Sequence, residues 1–302
     1  MIIMNEPFKI IFISYLIIFG FQLHGQSPVQ DQDNDPSYLQ SISHYESGRY
    51  QKAKMGFNQY LKLGKTNSFL VGSHFYLAQI EIEVNQNIQP MIQFTNHYKV
   101  EAFYMKALFS LGNYHFRLKD YKKAITYFYQ IRAGILVEHL YVKARFNLAY
   151  SLYVEKLFNK ALSLFKEITY YEQEDKINAH YYAGVIYFKN EEFDNALDQF
   201  LMAQSRPEMY KLTAPYIVKI YLNKKQYKEV ITYAETHLGN TKDINLEGKI
   251  ILNRVAAEAS FAQLNYREAI QYYTRVLHLS RSKGDVALFF NFGFSLEQVG
   301  KI

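Results

Sequence analysis

The chain has 302 residues, 49% of them hydrophobic, and a formal charge of +6, so it can bury the core of one or two domains. It contains no cysteine, which excludes disulfides, thiolate nucleophiles, iron–sulfur clusters, cysteine-type zinc sites and the lipid-bearing cysteine of a bacterial lipoprotein. Its basic residues come in runs no longer than pairs, such as Lys122-Lys123 and Lys224-Lys225, so the clustered footprint of a nucleic-acid binder is absent.

Residues 1–25 read as a secretory signal peptide. Lys9 gives a weakly positive start, Ile10 to Phe21 is an apolar run, and Leu23-His24-Gly25 precedes Gln26, with cleavage expected after Gly25. As a helix the run spans roughly 18 Å, too short for a hydrocarbon core of about 30 Å. Glu6 dilutes the positive charge of the start and His24 is poor company for a cleavage site, and an uncleaved N-terminal anchor is the alternative. Residues 26–36 form a polar linker carrying Asp31, Asp33 and Asp35, expected to be disordered. Asp35-Pro36 predicts a helix start, a capping acid followed by proline in the first turn.

From there one pattern recurs, a small residue followed four positions later by an aromatic one. It appears first as Tyr50-x2-Ala53-x3-Phe57 after the turn Ser47-Gly48-Arg49. The second occurrence is degenerate, with Met91 in the small slot, the aromatic shifted to Phe94, and Pro90 in the first turn of its helix, where proline is tolerated.

The third, Ala107 to Ala133, is the fullest. Leu108, Leu111 and His115 share one helical stripe, Gly112 and Ala124 are small where two helix axes come close, and Tyr121 and Phe128 fill the remaining space. Asp120 is placed to cap the second helix. The fourth and fifth read Phe158-x2-Ala161-x3-Phe165 and Phe193-x2-Ala196-x3-Phe200. The sixth keeps Tyr221 and Tyr227 but has Val230 and Ala234 in the two slots, and the seventh is Tyr266-x2-Ala269-x3-Tyr273. The small slots at 53, 91, 124, 161, 196, 230 and 269 are 38, 33, 37, 35, 34 and 39 residues apart.

These residues resemble the tetratricopeptide repeat: Leu108, Leu111, Gly112 and His115 stand where the W-x2-L-G-x2-Y signature puts its first-helix contacts, and Ala124 and Phe128 match A-x3-F. The resemblance implies an all-α fold, a right-handed superhelical solenoid of antiparallel helix pairs over residues 37–302, with about seven and a half repeats. The eighth repeat opens with Phe289, Phe292-Gly293 and Leu296 and lacks its second helix, so a truncated, Phe-rich end that frays or self-associates is expected. With the signal segment in front, the chain resembles the N-terminal part of long exported bacterial proteins of this type. That implies a periplasmic, cell-surface or secreted scaffold binding a protein or peptide, with no catalysis and only peripheral membrane contact, or none, after cleavage.

Motifs that would carry other chemistry are incomplete. Gly64-Lys65-Thr66 ends like a phosphate-binding loop, but Gln59 stands where the first glycine belongs. The nine histidines form no H-E-x-x-H pair, and His115 and His180 fall in packing slots. Carboxylates such as Glu191-Glu192 read as solvated helix pairs. No enzyme activity, cofactor, metal or nucleic acid is therefore expected.

The resemblance also implies a ligand groove lined by the first helix of each pair. Its positions are Phe109, Asn113 and Phe116 in repeat three, Phe146, Asn147, Tyr150 and Tyr153 in repeat four, and Asn178, Tyr181, Val185 and Phe188 in repeat five. Asn113 and Asn147 match the asparagines of the family's carboxylate clamp, but its basic positions are occupied by Phe109, Asn178 and Tyr182, so that clamp is not built. A lining of rings and amides suits an extended peptide and predicts weak dependence on salt. Two other readings stay open: the extracytoplasmic sensor segment of a larger membrane signalling protein, and a glycan- or solute-binding protein.

Overall fold

The computed structural model describes residues 35–239, 246–280 and 286–300; the signal segment and nearly all of the linker lie outside them. The described residues hold fifteen α-helices, one 3-10 turn at Pro207–Met209 and no strand. The described residues divide into two compact units, the first ending at Asn147 and the second beginning at Leu148.

The first unit contains α1 (Pro36–Glu46), α2 (Tyr50–Lys62), α3 (Ser68–Asn85), α4 (Gln89–His97), α5 (Glu101–Arg117), α6 (Tyr121–Phe128) and the start of α7 (Glu138–Val154). The second holds the end of α7, then α8 (Phe158–Ile168), α9 (Asp175–Lys189), α10 (Phe193–Ala203), α11 (Tyr210–Asn223), α12 (Tyr227–Gly239), α13 (Leu246–Ala262), α14 (Tyr266–Ser280) and α15 (Val286–Gly300). In each unit consecutive helices pack on one another as antiparallel pairs, the arrangement of a tetratricopeptide-type array.

The expected caps are present. Asp35 accepts the Ser37 amide at 3.0 Å with Pro36 at the first position of α1, and Asp120 accepts the Lys123 amide at 3.3 Å. Gly64-Lys65-Thr66 is a helix end rather than a phosphate loop. Gly64 takes the left-handed conformation (φ +67°) just past α2, and the Lys65 ammonium lies 2.8 Å from the Asp35 carboxylate.

Every pair is closed by three residues, at 47–49, 86–88, 118–120, 155–157, 190–192, 224–226 and 263–265. Each turn holds one residue in the left-handed region: Gly48, Gln86, Lys119, Lys156, Glu191, Lys225 and Leu264, with φ between +53° and +70°. The amide after it reaches back to the preceding helix, as in Asp120 N–H to His115 O at 2.9 Å and Glu192 N–H to Tyr187 O at 2.9 Å. This is the Schellman closure, which satisfies carbonyls that a helix end leaves orphaned.

The small slot lies five residues beyond the left-handed residue in all seven pairs, and Ala53, Met91, Ala124, Ala161, Ala196, Val230 and Ala269 are all 0% exposed. Sixteen residues before the aromatic slot stands its counterpart on the first helix. Gly112 and Gly184 precede Phe128 and Phe200, Ala149 and Ala257 precede Phe165 and Tyr273, and Ser41 precedes Phe57, all of them buried. In the sixth pair the sizes reverse: Val218 is the counterpart of Ala234. There the ring moves back one position to Tyr233, as it moves back to Phe94 in the second pair; both rings are buried.

Candidate interaction faces

In the first unit the expected lining lies on α5 and the start of α7. Phe109 is half-buried with its ring edge-on to Phe128 at 6.5 Å, and Phe116 is edge-on to Tyr121 at 5.8 Å. Asn113 and Asn147 meet: Asn147 Nδ2 donates to Asn113 Oδ1 at 2.8 Å. They are 34 residues apart while these two pairs are offset by 37, so Asn147 falls two before Ala149 and Asn113 one after Gly112. Phe146 and Asn147 are buried, at 8% and 5% exposure, so they support the face rather than line it. Lys106, one turn before Phe109 on α5, is half-buried over the Phe103 ring at 5.3 Å, and burial pushes its ammonium below the usual lysine range.

The second unit carries the denser aromatic face. Tyr150 and Tyr153 each lie 5.3 Å from Tyr182, which stacks on Phe165 at 5.4 Å. Phe188 sits between Phe193 at 5.7 Å and Tyr216 at 5.2 Å. Tyr150, Tyr153, Asn178 and Phe188 keep partial exposure, whereas Tyr181 and Val185 are buried, at 8% and 3%. Val185 and Tyr181 therefore belong to the packing beneath the face. Tyr181 lies 6.3 Å from the Phe200 ring and 6.4 Å from the Tyr216 ring, contacts with other helices that spacing along one helix does not reveal.

Lysines stand among these rings. Lys189 Nζ lies 5.1 Å from the Tyr153 ring centroid and 4.7 Å from that of Phe158, and Lys219 Nζ lies 5.5 Å from that of Phe188. Counting one residue past the close-approach slot of each first helix gives Asn113, Tyr150, Val185 and then Lys219. Extending the register into the sixth pair would thus have found Lys219. Tyr216, stacked on Phe200 at 4.9 Å and 20°, is the other contributor from that pair.

Elsewhere in the first unit α2, α3 and α4 border an open cleft of about 750 Å3 that no sequence motif announces. Lys54 and Glu81 pair across it at 2.6 Å, and the His74 ring stacks on Tyr98 at 5.4 Å. Burial, with His97 nearby, holds the His74 imidazole below its usual pKa. His115 and His180 are packing groups as expected. His115 stacks on Tyr127 at 5.6 Å with Asp120 at 3.5 Å, and His180 Nδ1 is 2.9 Å from Gln199 Oε1. Among the described residues no group of three or more His, Asp or Glu could hold a metal ion, and no helix is long and apolar enough to cross a membrane.

No family model and no curated protein matches the chain. Among solved structures it is similar to a tetratricopeptide repeat protein from Parabacteroides merdae, at 12% identity over 86% of this chain and 99% of the other, with a TM-score of 0.44. It is also similar to the apo form of RapI, at 13% identity over 81% and 96% of the two chains, with a TM-score of 0.46. For MamA AMB-1 the figures are 17% identity, 56% and 96%, and a TM-score of 0.43.

Proposed function

We propose that this chain is a non-enzymatic, exported scaffold that binds a peptide or protein partner through the faces of its first helices. The half-exposed aromatic face of the second unit, Tyr150, Tyr153 and Phe188 over buried Tyr182 and Tyr181, is the observation that supports it most. Rings held by other rings give apolar area at little entropic cost to the free protein, the property of binding anchors. The structural elements beneath them are rigid helices, so the face is preorganised.

Affinity capture from the native host with wild type, Tyr150→Ala and Phe188→Ala tests this reading. A specific partner should be lost or weakened by roughly 1–3 kcal/mol in both variants, with helicity unchanged. Retention of every partner by both would move the site to the second helices or the loops. Export rests on the run Ile10 to Phe21. N-terminal sequencing of the mature protein should begin at Gln26 or a neighbour, and an intact Met1 in the soluble fraction would overturn it.

A further inference from the structure

The aromatic face of the second unit also carries charge. Lys189 and Lys219 are exposed, and among the described residues neither has a carboxylate within ion-pair distance. Some other cations of that unit do: Lys176 pairs with Glu172, Lys224 with Asp194, and Arg254 with Glu258. Both ammoniums are held over ring faces, Lys189 between Tyr153 and Phe158 and Lys219 over Phe188. A ring face attracts the cation but leaves its outer hydrogens to solvent, so each ammonium is oriented before any anion arrives.

We propose that this face selects an acidic peptide segment, one whose carboxylates reach Lys189 and Lys219 while an apolar side chain between them packs on Phe188. The inference rests on the peptide-binding reading above and names the partner's chemistry. A nucleic acid fits the same charge less well: one face of the Tyr153 ring and one face of the Phe188 ring are each taken by an ammonium, which leaves fewer open faces for the successive base stacking a single strand uses. Salt should therefore weaken binding, contrary to the uncharged lining read from the sequence.

The test is fluorescence anisotropy with a labelled peptide repeating Glu-Leu-Glu-Phe, its Gln-Leu-Gln-Phe counterpart and a single-stranded oligothymidine. The wild type should bind the Glu peptide roughly 10-fold tighter than the Gln peptide, a preference that the Lys189→Gln, Lys219→Gln double variant removes and the double Arg variant keeps. Equal affinity for the two peptides, or an unchanged preference in the Gln variant, would overturn the proposal. So would oligothymidine binding as tightly as the Glu peptide, or no binding of either peptide. Equal affinities that Phe188→Ala lowers together would sink the acidic selectivity and leave the peptide-binding reading standing.

Discussion

Gly112 lies beneath the ring of Phe128 so closely that a Cβ there would come within 2.6 Å of it, and Gly184 stands to Phe200 in the same way at 2.8 Å. Both rings are fully buried and have nowhere to turn. In an ordinary helix Gly→Ala stabilises by about 1 kcal/mol; here overpacking reverses the sign. Gly112→Ala and Gly184→Ala should each destabilise by about 1–3 kcal/mol in urea unfolding. Gly293, with nothing within 4 Å of its Cβ position, is the control, and its alanine variant should be neutral or more stable.

The left-handed turn residues make the opposite prediction. Leu264 sits at φ +63° with 68% of its surface exposed, a conformation that costs a branched residue about 1 kcal/mol and glycine almost nothing. Leu264→Gly should raise stability by about that amount, measured by thermal unfolding, while Gly48→Ala, at φ +70°, should lower it similarly. A destabilised Leu264→Gly would mean that its side chain is held by something other than the turn.

In the sixth pair the displaced ring gained a polar task. Gln204 Nε2 donates to Tyr233 Oη at 2.7 Å and to Thr213 Oγ1 at 2.8 Å, and all three residues are buried. Tyr233→Phe should cost about 1–3 kcal/mol because it leaves a buried amide hydrogen unmatched. Thr213→Val should not add to it fully, since both act on one amide. Additive losses in a double-mutant cycle would contradict the shared network.

Acid should weaken the fold before the carboxylates titrate. Burial lowers the pKa of His74, His115, His180 and His237, with Asp120 pulling His115 partly back. The unfolded chain then binds more protons than the folded one, so stability is complete above about pH 6.5 and falls as pH drops below it. Asp35, held low by its Lys65 and Ser37 hydrogen bonds, titrates outside this window. Urea midpoints at about pH 7.5 and pH 5.5 should differ, the acid one being lower; identical midpoints would contradict the assignment.

The pairing of helices was legible in the sequence because its causes are local. A three-residue turn closes each hairpin, in five of the seven two small slots lie sixteen or fewer residues before a ring, and all seven slot residues of the second helices are buried. The caps at Asp35 and Asp120 were legible for the same reason, since a cap acts within one turn of its own helix. Three features were not. Nothing in the turn sequences marks Lys119, Lys156, Glu191, Lys225 and Leu264 as left-handed, because the three-residue closure imposes that conformation whatever residue is present. Burial of Tyr181 and Val185, at 8% and 3% exposure, is a product of tertiary packing, and the placing of Lys219 over Phe188 depends on how α9 and α11 lie against each other. That relation is set by loops whose lengths vary between pairs and by side chains from two repeats at once, so one-repeat periodicity carries no record of it. The hairpins are written residue by residue along the chain; the surface they offer a partner exists only once neighbouring hairpins have packed.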